Sequence, residues 1–159
     1  MGRIQPFHIE KDRGEAIWFL GGLTYVKASS EMTAGAFSLL DQIIPPGFAT
    51  PYHLHHLEDE SFYLLEGEAT FICAGKKIHA GPGDFLFGPR EIPHGFRVEG
   101  QSPARMLLST TPAGFERFVM EVGEPAASPI LPEPAPPDMA RLVALAAKYQ
   151  IDILGPLPE

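Results

Sequence analysis

Gly47-Phe48-Ala49-Thr50-Pro51-Tyr52-His53-Leu54-His55 is followed at short range by Glu60 and Gly67. His94 arrives later, at the end of the Pro-rich run Gly88-Pro89-Arg90-Glu91-Ile92-Pro93-His94. Successive side chains of a strand point to opposite faces, so His53 and His55 share a face, about 6.6 Å apart along the strand. That separation suits two imidazoles converging on one ion with metal–nitrogen bonds of about 2.0–2.1 Å. His56 has the opposite parity and is expected to point away. The stretch His56-Leu57-Glu58-Asp59 reads as a turn, after which Glu60 opens the strand Glu60-Ser61-Phe62-Tyr63-Leu64-Leu65. His94 must then come from a later strand folded back alongside. Three imidazoles and a carboxylate are the donor set of a divalent transition metal, and burying them without a shared purpose is costly. His8 and His79 stand alone and read as surface residues.

Outward from this centre, the first 110 residues are short apolar runs punctuated by glycine and proline. Ala16–Leu20 and Leu23–Val26 flank Gly21-Gly22, a hairpin signal. Ala36–Ile44 stops at Pro45-Pro46-Gly47, which cannot continue a central strand. Ala69–Cys73 and Lys76–Ala80 flank Ala74-Gly75. Phe85–Phe87, His94–Val98 and Ala104–Thr110 complete the set. Many short strands at this spacing predict an all-β barrel or sandwich. Helix is expected only late. Pro112–Met120 places Phe115, Phe118 and Val119 on one face, and Asp138 is positioned to cap a helix over Met139–Tyr149 with Leu142, Val143, Ala146 and Tyr149 as its apolar stripe. Between them, Gly123–Pro137 is Pro-rich and reads as extended. Residues 1–122 are thus expected to form the barrel, and residues 123–159 a connector and a helix docked on it.

The fixed positions of G-x5-H-x-H-x4-E-x6-G are all met, by Gly47, His53, His55, Glu60 and Gly67, and on these residues the chain resembles the cupins. Of the second cupin motif, G-x5-P-x-G-x2-H-x3-N, Gly83, Pro89 and His94 are present, while Glu91 and Val98 replace the glycine and the asparagine. Neither replacement removes a ligand. The resemblance implies a jelly-roll antiparallel β-barrel holding one divalent transition metal on His53, His55, Glu60 and His94. It also implies a homodimer, for which strands before Phe37 are spare. The donor set alone leaves iron, nickel, manganese, copper, cobalt and zinc open.

The 159-residue chain fits one domain. A formal net charge of −8 disfavours nucleic acid, whose phosphates demand a basic footprint. No apolar run approaches the ~20 residues of a membrane span. The start of the chain lacks the apolar core of a signal peptide, and Cys73 is its single cysteine, so a cytoplasmic protein is expected. By parity with Glu60 and His94, Phe62, Leu64 and Phe96 are expected around the metal, joined by Phe37, Leu39, Phe71, Met106 and Leu108. Such a pocket suits a flat, apolar small-molecule substrate. Small single-domain cupins of this type resemble the quercetin 2,3-dioxygenase group, which implies dioxygen attack on an enol or flavonol with Glu60 as ligand and proton acceptor. The same cage would also serve a non-redox cyclase, isomerase or decarboxylase, or a binding module without chemistry.

Overall fold

A computed structural model describes residues 3–159. In chain order these form β1 (Glu15–Phe19), β2 (Gly22–Ala28), α1 (Ser30–Thr33), β3 (Ser38–Ile44), β4 (Tyr52–His55), β5 (Asp59–Glu66), β6 (Glu68–Cys73), β7 (Lys76–Ala80), β8 (Phe85–Gly88), β9 (His94–Glu99) and β10 (Ala104–Thr111). The remaining elements are α2 (Phe115–Val122), β11 (Glu124–Pro125), α3 (Met139–Lys148) and β12 (Ile151–Gly155). The strands make two antiparallel sheets. One runs β11-β1-β2-β3-β10-β5-β8, the other β12-β4-β9-β6-β7. The fold is all-β, a jelly roll with short helices.

Turn chemistry fixes this register. Ala74 and Gly75 both take positive φ, the conformation a two-residue hairpin needs to match strand twist, and Cys73 pairs with Lys76 across it. Gly67 of the first motif has φ +79°, and a Cβ there would stand 2.7 Å from the Pro103 carbonyl and 2.8 Å from Ala104 Cα. Only glycine satisfies both demands between β5 and β6.

The inner faces of the two sheets supply the core. Leu40, Phe62, Leu64, Met106 and Leu108 come from the larger sheet, and Phe71, Phe96 and Val98 from the smaller. Phe62, Phe71 and Phe96 meet with centroids 5.1–6.1 Å apart. Each pair adds about 0.5–1.5 kcal/mol to its area burial. Helix α2 brings Phe115, Phe118 and Val119 to the same core, and α3 brings Leu142 and Ala146. The Asp138 side chain accepts from the Arg141 amide and caps α3, as its position suggests.

Three features depart from the expectation. Strand β3 turns Ser38, Leu40, Gln42 and Ile44 inward, all of them buried, so Phe37 and Leu39 fall on the wrong parity. The strands before Phe37 are not spare, because β1 and β2 are zipped onto β3 in the chain's own sheet. The C-terminal stretch holds a strand as well as a helix: β12 lies beside β4. Cys73 is half-buried, and burial pushes its thiol pKa up.

Candidate metal centre

Strand pairing assembles the centre. His53 on β4 lies directly opposite His94 on β9. Glu60 on β5 is placed by pairing with Thr110 on one side and Gly88 on the other. His53, His55, Glu60 and His94 each offer one ligand atom, and these atoms all lie within 4.8 Å of one another. Two donors bound to one ion at about 2.1 Å are at most about 4.2 Å apart, so sub-ångström closure brings the four onto a single ion.

The other ring nitrogens are held from behind. His53 Nδ1 donates to the Pro51 carbonyl at 2.7 Å and His94 Nδ1 to the Ile92 carbonyl at 3.0 Å. His55 Nδ1 bonds the Glu58 carboxylate at 2.9 Å. A carbonyl can only accept, so Nδ1 carries the proton and Nε2 of each ring faces the cluster as the ligating atom. His55 Nε2 is buried without a hydrogen-bond partner; it stands 3.3 Å from Glu60 Oε2 in a geometry that makes no bond. An orphaned nitrogen aimed among three other donors fits a cation. The set itself, imidazoles and carboxylate with no thiolate, suits iron, copper, nickel, zinc or manganese.

Electrostatics agree with that reading. Burial pushes the His53 pKa down, aided by the charge on His94, to about 4. Burial pushes Glu60 up, but the His55 and His94 imidazoles outweigh it and hold the carboxyl at about 2. Burial also lowers His94, yet the charge and hydrogen bond of Glu60 overcome it and raise its pKa. Glu60 is therefore anionic and His53 neutral at neutral pH, the states a metal requires.

Glu58 escaped the sequence reading, which took it for part of a turn. It is 5% exposed and bonded to His55, the carboxylate–histidine arrangement that orients ligands. The three-residue spacing to His55 was its only signal. His56 points away, as parity requires, with Nδ1 2.8 Å from Glu91 Oε2 and Nε2 2.9 Å from Asp152 Oδ2. Both carboxylates raise its pKa, Asp152 foremost. His56 thus ties the end of β4 to the turn before His94 and to β12.

A cavity of about 80 Å³ opens from the four ligands. Phe62 and Phe96, placed by parity, line it together with Leu108, and Phe19, Phe48, Phe115 and Phe118 complete an aromatic wall. Leu64, Phe71 and Met106 are buried but sit outside the lining. Phe37 is 39% exposed and Leu39 half-buried; neither reaches the cavity, because β3 turns its even-numbered residues inward. Leu142, Ile151 and Ile153 of the C-terminal stretch also line it. Of the two arginines flanking His94, Arg90 is bound to Asp59 and Arg97 is half-buried.

Residues 40–110 match the family model described as the cupin domain. That match takes in all four candidate ligands. The chain is 30% identical over 127 residues to quercetin 2,3-dioxygenase of Bacillus subtilis (strain 168), which covers 80% of this chain and 37% of that protein. It is 39% identical over 56 residues to the dimethylsulfoniopropionate lyase DddQ of Ruegeria pomeroyi, covering 35% of this chain and 27% of the lyase. The chain thus spans well under half of either relative. Among solved structures, KdgF from Halomonas sp. superposes with a TM-score of 0.61 at 18% identity, over 71% of this chain and 98% of that one. At that identity the likeness speaks for the fold.

Proposed function

We propose that this protein is a cupin, a metal-dependent dioxygenase acting on an enol or flavonol-like, largely apolar substrate. The observation that carries the reading is the convergence of three oriented Nε2 atoms and one carboxylate oxygen at the end of an aromatic-walled cavity. The likeness to quercetin 2,3-dioxygenase supports the substrate class. A bound divalent metal would stabilise the negative charge of a coordinated enolate oxygen. Glu60 accepts the enol proton as that oxygen arrives, which requires its carboxylate to be freed in part from its His94 contact. The enolate carbon then gives its electron pair to one atom of dioxygen, and the other atom closes on the neighbouring ring carbonyl carbon. The O–O bond and the two C–C bonds to the carbon in between break, so that carbon leaves as carbon monoxide and both oxygen atoms stay in the ring-cleaved product. Phe62, Phe96 and Phe115 exclude water and hold the substrate plane.

The test is oxygen uptake by metal-loaded protein against a panel of flavonols and 1,3-diketones, with the product scored for labelled oxygen. Glu60→Gln is expected to lower turnover per bound metal by about 10²–10⁴-fold. A near wild-type rate per metal would leave Glu60 a ligand at most.

A second reading is favoured by the similarity to a lyase: non-redox chemistry in which the same carboxylate moves a proton and no dioxygen is used. Substrate consumption without oxygen uptake selects it.

A further inference from the structure

Besides the candidate ligands, the cavity wall carries Thr50, whose hydroxyl accepts the Phe96 amide, and a polar pair far from the ligands. Gln42 on β3 is 6% exposed and Thr24 on β2 is 1% exposed, and the two face each other across the ladder. Both line the cavity that holds the metal ligands. Among the described residues, the Gln42 side chain makes a single hydrogen bond, from Nε2 to Thr24 Oγ1, and it is long at 3.4 Å. A carboxamide has two donor hydrogens and an acceptor oxygen. The greater part of that capacity is unused among the described residues. Ordinary barrel core would place an aliphatic residue there, as it does at Leu40 and Ile44 on the same face of β3.

The position fixes a length. Glu60 pairs with Thr110, and Thr110 pairs with Ser38, so the metal end of the cavity lies at the level of Ser38. Gln42 is four residues further along β3, roughly 13 Å at 3.4 Å per residue. Leu108, Phe62 and Phe96 line the stretch between. The cavity is therefore polar at its two ends, and the stretch between them is apolar but for Thr50, whose hydroxyl is taken by the Phe96 amide.

We propose that Gln42, supported by Thr24, is a specificity-determining residue that hydrogen-bonds the remote polar end of the substrate. The substrate class is an apolar, ring-bearing enol with a second hydroxyl roughly 8 Å from the oxygen that meets the metal ligands, the strand span of about 13 Å less about 2.9 Å for a hydrogen bond and about 2.1 Å for a metal bond. This rests on the functional reading above for the identity of the enol end. The hydroxyl end rests on the cavity alone. A site built to bond a hydroxyl discriminates against analogues lacking it, because its own buried group is then left unpaired.

The experiment compares 3,7-dihydroxyflavone with 3-hydroxyflavone, measured as dissociation constants on metal-loaded wild type and on Gln42→Met, which keeps length and volume. Wild type is expected to prefer the dihydroxy compound by about 10–100-fold, and Gln42→Met to lose that preference without changing metal content. Gln42→Glu retains an acceptor and is expected to keep the preference if Gln42→Met fails to fold. Equal affinity of wild type for both compounds, or a preference that survives in Gln42→Met, overturns the assignment. If neither flavone binds wild type, the flavonol reading of function fails. The Gln42 assignment is then decided by 2-naphthol against naphthalene, where equal affinity overturns it.

Discussion

Glu58→Ala isolates what a buried carboxylate behind a ligand contributes to metal affinity. In the wild type Glu58 accepts from His55 Nδ1 at 2.9 Å, with His55 1% and Glu58 5% exposed. Removing the carboxylate has two effects. It leaves a buried N–H without an acceptor, at a cost of about 1–3 kcal/mol to the fold. It also frees the ring to carry its proton on Nε2, the atom that faces Glu60, and in that tautomer His55 cannot ligate. Loss of such an outer partner typically weakens metal binding by about 10–100-fold, equivalent to about 1.4–2.8 kcal/mol. His53 and His94 are held by backbone carbonyls, which no side-chain substitution removes, so Glu58 is the position where this support can be deleted cleanly. The assay is competition for zinc against a chromophoric chelator, on wild type, Glu58→Ala and Glu58→Gln, with thermal melts as a folding control. Glu58→Gln keeps an acceptor oxygen and should fall between the other two. Folded Glu58→Ala with zinc affinity within twofold of wild type would refute the reasoning.

Other outcomes follow from the same geometry. His56→Ala should keep its metal, since its ring bonds Glu91 and Asp152 outside the cluster; metal loss equal to that of His53→Ala would show that β4 is bulged. In metal-free protein, His53 is held at about 4 against 6.5 when unfolded, so acid protonates the unfolded chain first. Stability contributed by His53 is whole above pH 6.5 and lost towards pH 4, by up to about 3 kcal/mol, partly offset by the raised His94. Melts of chelator-treated protein from pH 7 to 5 should therefore decline more steeply for wild type than for His53→Asn, and parallel slopes would contradict this. Leu142→Ala opens the wall between α3 and the cavity and should cost about 2–5 kcal/mol by denaturant titration. Asp138→Ala removes the cap of α3 and should cost about 1 kcal/mol, with metal affinity unchanged.

The ligand geometry was legible because it follows from parity. His53 and His55 two residues apart, and His94 and Glu60 each opening an alternating strand, leave little freedom once the sheets pair. The same logic located Phe62 and Phe96, and it put Leu64 on the inward face, where it is buried beyond the cavity lining. It failed on β3, where Ser38-Leu39-Leu40-Asp41-Gln42-Ile43-Ile44 does not alternate. Both faces of that strand are covered, so hydrophobicity carries no direction. Asp41 on the outer face is buried because Arg105 bonds it, at 2.7 Å, while also reaching Asp12 of the N-terminal segment. The inward polar residues Ser38 and Gln42 find Thr110 and Thr24 across the ladder. A buried polar residue on each face reverses the apparent parity. Strand β12 was missed because Ile151-Asp152-Ile153-Leu154 is short and follows directly on a helix; only its partner β4, nearly a hundred residues earlier, makes it a strand.

That partnership ties the candidate cage to residues outside any motif. The ladder between β4 and β9 consists of the single pair His53↔His94, whereas β12 runs along β4 from Ile151↔His55 to Gly155↔Tyr52. The strand that carries two of the four candidate ligands therefore leans for its backbone hydrogen bonds on a segment about a hundred positions away. Deleting Ile151–Gly155 would leave every candidate ligand in the chain but take from β4 most of its ladder, and the cage would be expected to loosen. Residues that carry no donor atom would thus act on the ion through the backbone alone.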